Sequence, residues 1–214
     1  AKARVTDIKR LLSFGAWMTV SNVIHPLLVN ADRFLIAAVL GAGAVAYYTV
    51  PFEVLVRVLV IPTALTTALF PRLSSKLKSD LTVVPDLYKK CMRLIVIVLL
   101  PVCLVTALGA YWGLSWWISV DFATSSWLIA SVLSLGVLLI GIATVPYAMI
   151  QAAGDVRTTA LLHIGELIAY VPILFLFVHV WGALGAAMAW VLRAALDLAL
   201  LLVCARKSFC KMAL

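Results

Sequence analysis

Apolar residues run along this chain in six long blocks separated by short polar or glycine-containing gaps. The blocks cover Leu12 to Val39, Ala44 to Leu69, Cys91 to Tyr111, Trp127 to Gln151, Thr158 to Val180 and Ala183 to Ala205. Each reaches the roughly 20 residues that a helix needs to cross bilayer hydrocarbon. The pattern therefore predicts an all-α, six-helix membrane bundle over 12–205, with a short segment 1–11 before it and a tail 206–214 after it. Residues 70–90 form the one substantial loop between blocks. Within it Asp80, Asp86 and Tyr88 lie among lysines, a pattern that predicts a helix resting on the membrane surface.

Composition agrees with lipid as the solvent. Hydrophobic residues are 65% of the 214 and charged ones 12%, where a soluble domain has about half and about a quarter. Mean hydropathy is +1.14. The net charge of +8 would suit nucleic acid only as a basic face on a soluble module. Here the basic residues sit between apolar blocks, so no nucleic-acid partner is indicated.

Their distribution instead sets orientation. The amino-terminal segment holds Lys2, Arg4, Lys9 and Arg10, and the second gap with its flank holds Arg72, Lys76, Lys78, Lys89, Lys90 and Arg93. Arg157 lies in the fourth gap, and Arg206, Lys207 and Lys211 in the tail. The alternate gaps contain no Lys or Arg. Positive segments stay cytoplasmic, so both termini are expected inside. Trp112, Trp116, Trp117, Phe122 and Trp127, with Tyr47, Tyr48 and Trp181, then fall at the outer ends as an aromatic belt.

Polar groups inside the blocks carry the candidate chemistry. Six prolines (Pro26, Pro51, Pro62, Pro101, Pro146 and Pro172) each remove a helix hydrogen bond. Broken helices in five of six spans suit a transporter better than an anchor. A charged side chain at mid-bilayer costs at least about 2.5–3.5 kcal/mol. Yet the first block holds Asn22, His25, Asn30, Asp32 and Arg33, with Asn22, Pro26 and Arg33 on one helical face. Glu53 and Arg57 lie four apart in the second, His163 and Glu166 three apart in the fifth, and Arg193 and Asp197 four apart in the sixth. The spacing of Arg193 and Asp197 predicts a pair closed within one helix. Glu53 has two possible partners, Arg57 on its own helix and Arg33 on the first.

Glycines mark the turns. Gly41 and Gly43 tighten the first outer turn, and Gly154 the inner turn before the fifth helix. Gly182-x-x-x-Ala186 and Gly185-x-x-x-Ala189 predict close helix contact. Cys91, Cys103, Cys204 and Cys210 show neither disulfide nor metal spacing. No phosphate-cradling loop or hydrolase motif is present, so neither an enzyme nor a cofactor is indicated. The chain begins AKARV, without Met or a secretory signal, which suggests a piece of a longer protein or a processed start.

The stretch NADRFLIAAVLGAGAVAYYTVPFEVL, followed by IPTALTTALFPRLSS, resembles the polysaccharide transport family of the multidrug/oligosaccharidyl-lipid/polysaccharide exporter superfamily. The matching features are Asp32, Leu40-Gly41, Tyr47-Tyr48, Phe70-Pro71 and Ser74-Ser75, then QAAGDVRTTALL and WGALGAAMAWVL. The resemblance implies a carboxy-terminal six-helix half of a twelve-helix flippase, in which two bundles face a central cavity. It implies transport of undecaprenyl-diphosphate-linked O-antigen, capsule or exopolysaccharide units across the bacterial inner membrane. The partners it implies are that lipid-linked substrate, membrane lipid, an amino-terminal six-helix half, and glycan polymerase and ligase components. By family position Arg57, Arg33 and Asn22 are candidates for substrate binding, and Glu53, Asp32 and Glu166 for ion coupling. The alternatives are a scaffold subunit of a glycan-assembly complex, or an exporter of drugs or peptidoglycan precursor from a sister family.

Overall fold

A computed structural model of the protein describes residue 19, residues 30–79 and residues 83–212. Most of the first predicted span, including Asn22, lies outside the described residues. Within them the chain is helical throughout. Helix α1 (30–40) is followed by α2 (Ala42–Val56), a 3₁₀ turn (Arg57–Leu59), α3 (Val60–Ser79), α4 (Val84–Trp117), α5 (Val120–Ala152) and α6 (Val156–Met212). Four stretches are long and apolar enough to cross a membrane: Ala42–Ser75, Val84–Trp117, Val120–Ala152 and Arg157–Lys207.

That count differs from six on two grounds, one of coverage and one of geometry. The first block falls largely outside the described residues, and α6 is a hairpin rather than a rod. Gly182 has φ 61° and ψ −141°, which no helix accommodates. Around it the chain doubles back. A Cβ built on Gly185 would lie 1.9 Å from the Phe177 carbonyl oxygen, although eight residues of straight helix span about 12 Å. Glycine at 185 thus permits the two arms to touch, as the small-residue pattern predicts.

The other turns follow their local chemistry. Gly41 (φ 86°) reverses the chain between α1 and α2, and Gly154 (φ 83°) does so between α5 and α6. Asp155 then caps α6, its carboxylate accepting from the Thr158 amide (3.3 Å) and hydroxyl (2.7 Å). Ser119 caps α5 by accepting from the Phe122 amide at 3.2 Å. Pro85 in the first turn of α4 fits a helix start. Much of the 70–90 loop, in which a surface helix is expected, is helical. α3 continues through Pro71 to Ser79, and α4 begins at Val84.

Helix α5 is central and packs on α2, α3, α4 and α6. It is the most buried of the four spans. One core joins Ile36, Tyr48, Phe52, Leu133, Leu174 and Trp190. A second joins Leu73, Ile95, Leu99 and Met149. The outward faces remain apolar, with Phe34, Leu108 and Ile168 largely exposed. Water would not favour such a surface, whereas lipid does.

Candidate functional site

The tight turn at Gly41 sets α1 beside α2 and brings four charged residues to the pair. Asp32 is fully buried. Its carboxylate accepts from the Tyr48 hydroxyl and from the Arg33 amide, the latter at 2.9 Å. Arg33 points the other way. Its guanidinium donates to Glu53 at 2.5 Å and sits 5.1 Å above the Phe52 ring. Phe52 in turn stacks on Tyr48 (5.6 Å) and meets Trp190 edge-on (5.2 Å). An aromatic spine from the core thus supports an ion pair that stays accessible, with side chains 25% and 47% exposed.

One turn beyond Glu53 the helix changes character. Arg57 opens the 3₁₀ turn, and the Val60 amide donates to the Arg57 carbonyl. Pro62 follows, and the Thr63 hydroxyl donates to the Leu59 carbonyl at 2.7 Å, a contact that bends helices. A short 3₁₀ stretch in mid-helix marks a hinge or a strained segment. Arg57 is exposed and makes no ion pair among the described residues. It lies near the middle of the apolar run Ala42–Ser75.

A second polar group lies between the arms of α6. The Arg193 guanidinium is 3.7 Å from Glu166 and 5.5 Å from the centre of the Tyr170 ring. His163 stacks on Tyr147 of α5 at 5.9 Å. Glu166, Tyr170 and Arg193 line a pocket of about 230 Å³ whose other walls are apolar.

The polysaccharide biosynthesis protein family matches residues 1–123. The chain belongs to that family. It is also 38% identical over 193 residues to a Shigella flexneri protein named "Putative O-antigen transporter", the match covering 90% of this chain and 46% of that one. The chain therefore spans just under half the length of the curated relative it matches. No solved structure gives a significant match. The four apolar helices make this a multi-pass membrane protein of the polysaccharide biosynthesis family, and the relative it resembles is named as a transporter.

In this member of the polysaccharide biosynthesis family the predicted site residues separate into two groups. Arg33, Glu53 and Arg57 share the α1–α2 region, with Asp32 buried behind them; Glu166 stands apart on α6. Of the two partners open to Glu53, the structure selects Arg33, because Phe52 holds that guanidinium beside the carboxylate. The helix-local pair expected for Arg193 and Asp197 is replaced. Arg193 pairs across the hairpin with Glu166, and Asp197 Oδ1 has no hydrogen-bond partner.

Two participants were not visible as such in the sequence. Tyr48 is predicted at the outer aromatic belt but is fully buried against Asp32. The available signal was distance from Gly41, since Asp32 and Tyr48 lie at similar separations on its two sides. Tyr170 carried no signal beyond its place one turn from Glu166.

Proposed function

We propose that this protein is one six-helix bundle of a flippase for undecaprenyl-diphosphate-linked oligosaccharide, working by alternating access in the bacterial inner membrane. The six helices would be the first block ending in α1, the α2–α3 run, α4, α5 and the two arms of α6. The cytoplasmic side would hold both termini. A second six-helix bundle would complete the cavity, a reading supported by the match to only 46% of the relative.

The observation that carries this reading is the accessible row Arg33, Glu53 and Arg57 on otherwise apolar helices. Charge exposed at mid-span is costly in lipid and inexpensive beside water. A scaffold has no use for an accessible arginine at that depth that makes no ion pair among the described residues. A cavity that receives pyrophosphate and acidic sugars does, because the guanidinium fork binds phosphate oxygens in pairs. Arg57, Arg33 and Asn22 would bind substrate, while Glu53, Asp32 and Glu166 are the carboxylates available for coupling to protons or sodium.

The test is complementation. Co-expressed with an amino-terminal six-helix half, the chain should restore surface glycan in a strain lacking its O-antigen flippase. Glycan restored by these 214 residues alone, with no second bundle present, would show that the functional unit is different. No restoration by any full-length protein that contains them would sink the flippase reading itself.

A further inference from the structure

Helix α4 changes chemistry along the face that it turns away from the bundle. Its inward face is Val84, Cys91, Ile95 and Leu99, packed with residues of α3 and α5. The opposite face carries Lys89, Lys90 and Arg93 and then, at three- and four-residue steps, Ile97, Leu100, Leu104, Leu108 and Trp112. All of these are exposed. From Arg93 to Trp112 a helix rises about 28 Å at 1.5 Å per residue, close to the roughly 30 Å of bilayer hydrocarbon. With the tryptophan at one boundary, the arginine falls at the other, level with the lipid headgroups.

The second arm of α6 ends in the same way. Leu196, Leu200 and Val203 are exposed and step on to Arg206 and Lys207, which are exposed as well. The two basic ends are level: Cys91 of α4 shares a packed cluster with Met149 of α5, and Ala205 of α6 shares one with the adjacent Ile150. None of Lys89, Lys90, Arg93, Arg206 and Lys207 makes an ion pair among the described residues. Asp86 stands one turn before Lys89 and Lys90 but closes a salt bridge with neither. A charge that only orients the chain needs to lie in the right connection. It has no need to continue a lipid-facing row, or to stay unpaired there.

We propose that Lys89, Lys90 and Arg93 form a binding site for the headgroup phosphate of an anionic phospholipid, whose acyl chains lie along Ile97, Leu100 and Leu104. Three cations within little more than one turn converge on a single phosphate, and Arg93, the deepest of them, offers it a planar fork. Basic clusters at the ends of membrane helices recognise anionic headgroups in this way. The substrate row on α1 and α2 is a separate place, since α4 packs on α3 and α5. The lipid site therefore does not rest on the flippase reading.

The test uses the full chain in phosphatidylcholine vesicles that carry a minority of phosphatidylglycerol. Phosphatidylglycerol with a photoactivatable group in its acyl chain should label the peptide that holds Ile97, Leu100 and Leu104. Its yield there should exceed that of the matching phosphatidylcholine probe by at least about fivefold, the equivalent of the roughly 1 kcal/mol that one basic residue near the surface contributes. The excess should shrink in high salt. Lys89→Gln, Lys90→Gln and Arg93→Gln combined should bring the two probes to equal yield, whereas Lys89→Arg with Lys90→Arg should keep the preference. Equal yields in the unmodified protein, or a preference that survives the triple replacement, would overturn the site and leave the three charges with orientation alone. A competition arm separates the lipid from the transported substrate. Unlabelled phosphatidylglycerol should displace the probe; displacement by a polyprenyl diphosphate and not by phosphatidylglycerol would overturn the phospholipid assignment.

Discussion

The Tyr48 hydroxyl donates to the Asp32 carboxylate across the turn at Gly41, and both residues are fully buried. A buried carboxylate that loses a donor keeps its desolvation cost, about 1–3 kcal/mol for an unsatisfied group and more for a charged one. Tyr48→Phe should therefore lower stability by at least about that amount, seen as an earlier thermal transition of the purified protein in detergent. Asp32→Asn in the Tyr48→Phe background should add less than it does alone, because the two residues act as one unit. Strict additivity of the two losses would mean that the hydroxyl and the carboxylate do not depend on each other.

The hairpin of α6 makes a prediction with an internal control. Gly185 abuts the Phe177 carbonyl, whereas Gly109 in α4 has nothing within 4 Å of a built Cβ. Gly185→Ala should cost about 1–3 kcal/mol as the arms are pushed apart. Gly109→Ala should be neutral, or stabilising by up to about 1 kcal/mol through helix propensity. Thermal stability of the two variants, measured side by side, decides the matter. Equal effects would mean that the arms do not touch at that point.

These two cases show what a sequence carries and what it does not. Gly41 and Gly154 are legible because a chain reversal needs a residue that tolerates positive φ, and few others do, whereas Gly182 reads from the sequence as a helix-contact glycine. Asp155 is legible as a helix start for an equally local reason. The partner of Arg193 is not. Helical spacing reveals only neighbours on the same helix, and so points to Asp197. Glu166 comes within reach through the register of a hairpin, which depends on how the arms pack around Trp190 and Leu174. Pro71 misleads in the opposite direction, since a proline reads as a boundary yet α3 runs through it. Arg33 and Glu53 lie between these extremes: the sequence offers Glu53 two arginines, and only the stacking on Phe52 chooses one.

That ion pair should matter more for transport than for stability. Glu53 is nearly half exposed, and pairs so accessible contribute about 0–1 kcal/mol. Glu53→Gln should therefore leave the thermal transition almost unchanged while reducing glycan export. The reversed pair, Arg33→Glu with Glu53→Arg, should export more than either single reversal, since it restores a neutral pair of the same reach. A double reversal no better than the worse single would mean that the two charges act separately on substrate.

Arg57 gives the most exposed prediction. An arginine near mid-span costs at least about 2.5–3.5 kcal/mol on insertion, unless it is paired or reaches water. Glu53 is engaged by Arg33, and Arg57 itself makes no ion pair among the described residues. Its backbone lies in the 3₁₀ turn that separates α2 from α3, so the segment bearing the guanidinium is the one where the span is best able to flex. These features fit a group held ready for an anion rather than one fixed in packing. In the full-length protein Arg57→Ala should abolish glycan export at normal abundance. Arg57→Lys should retain part of it, because lysine keeps the charge but loses the planar fork. Arg193→Ala provides the contrast, since Arg193 is buried and paired, and its loss should lower the amount of protein in the membrane. Export and abundance measured together for the three variants separate the roles. Normal export by Arg57→Ala would reduce the exposed guanidinium to a topology charge and remove the residue from the substrate path.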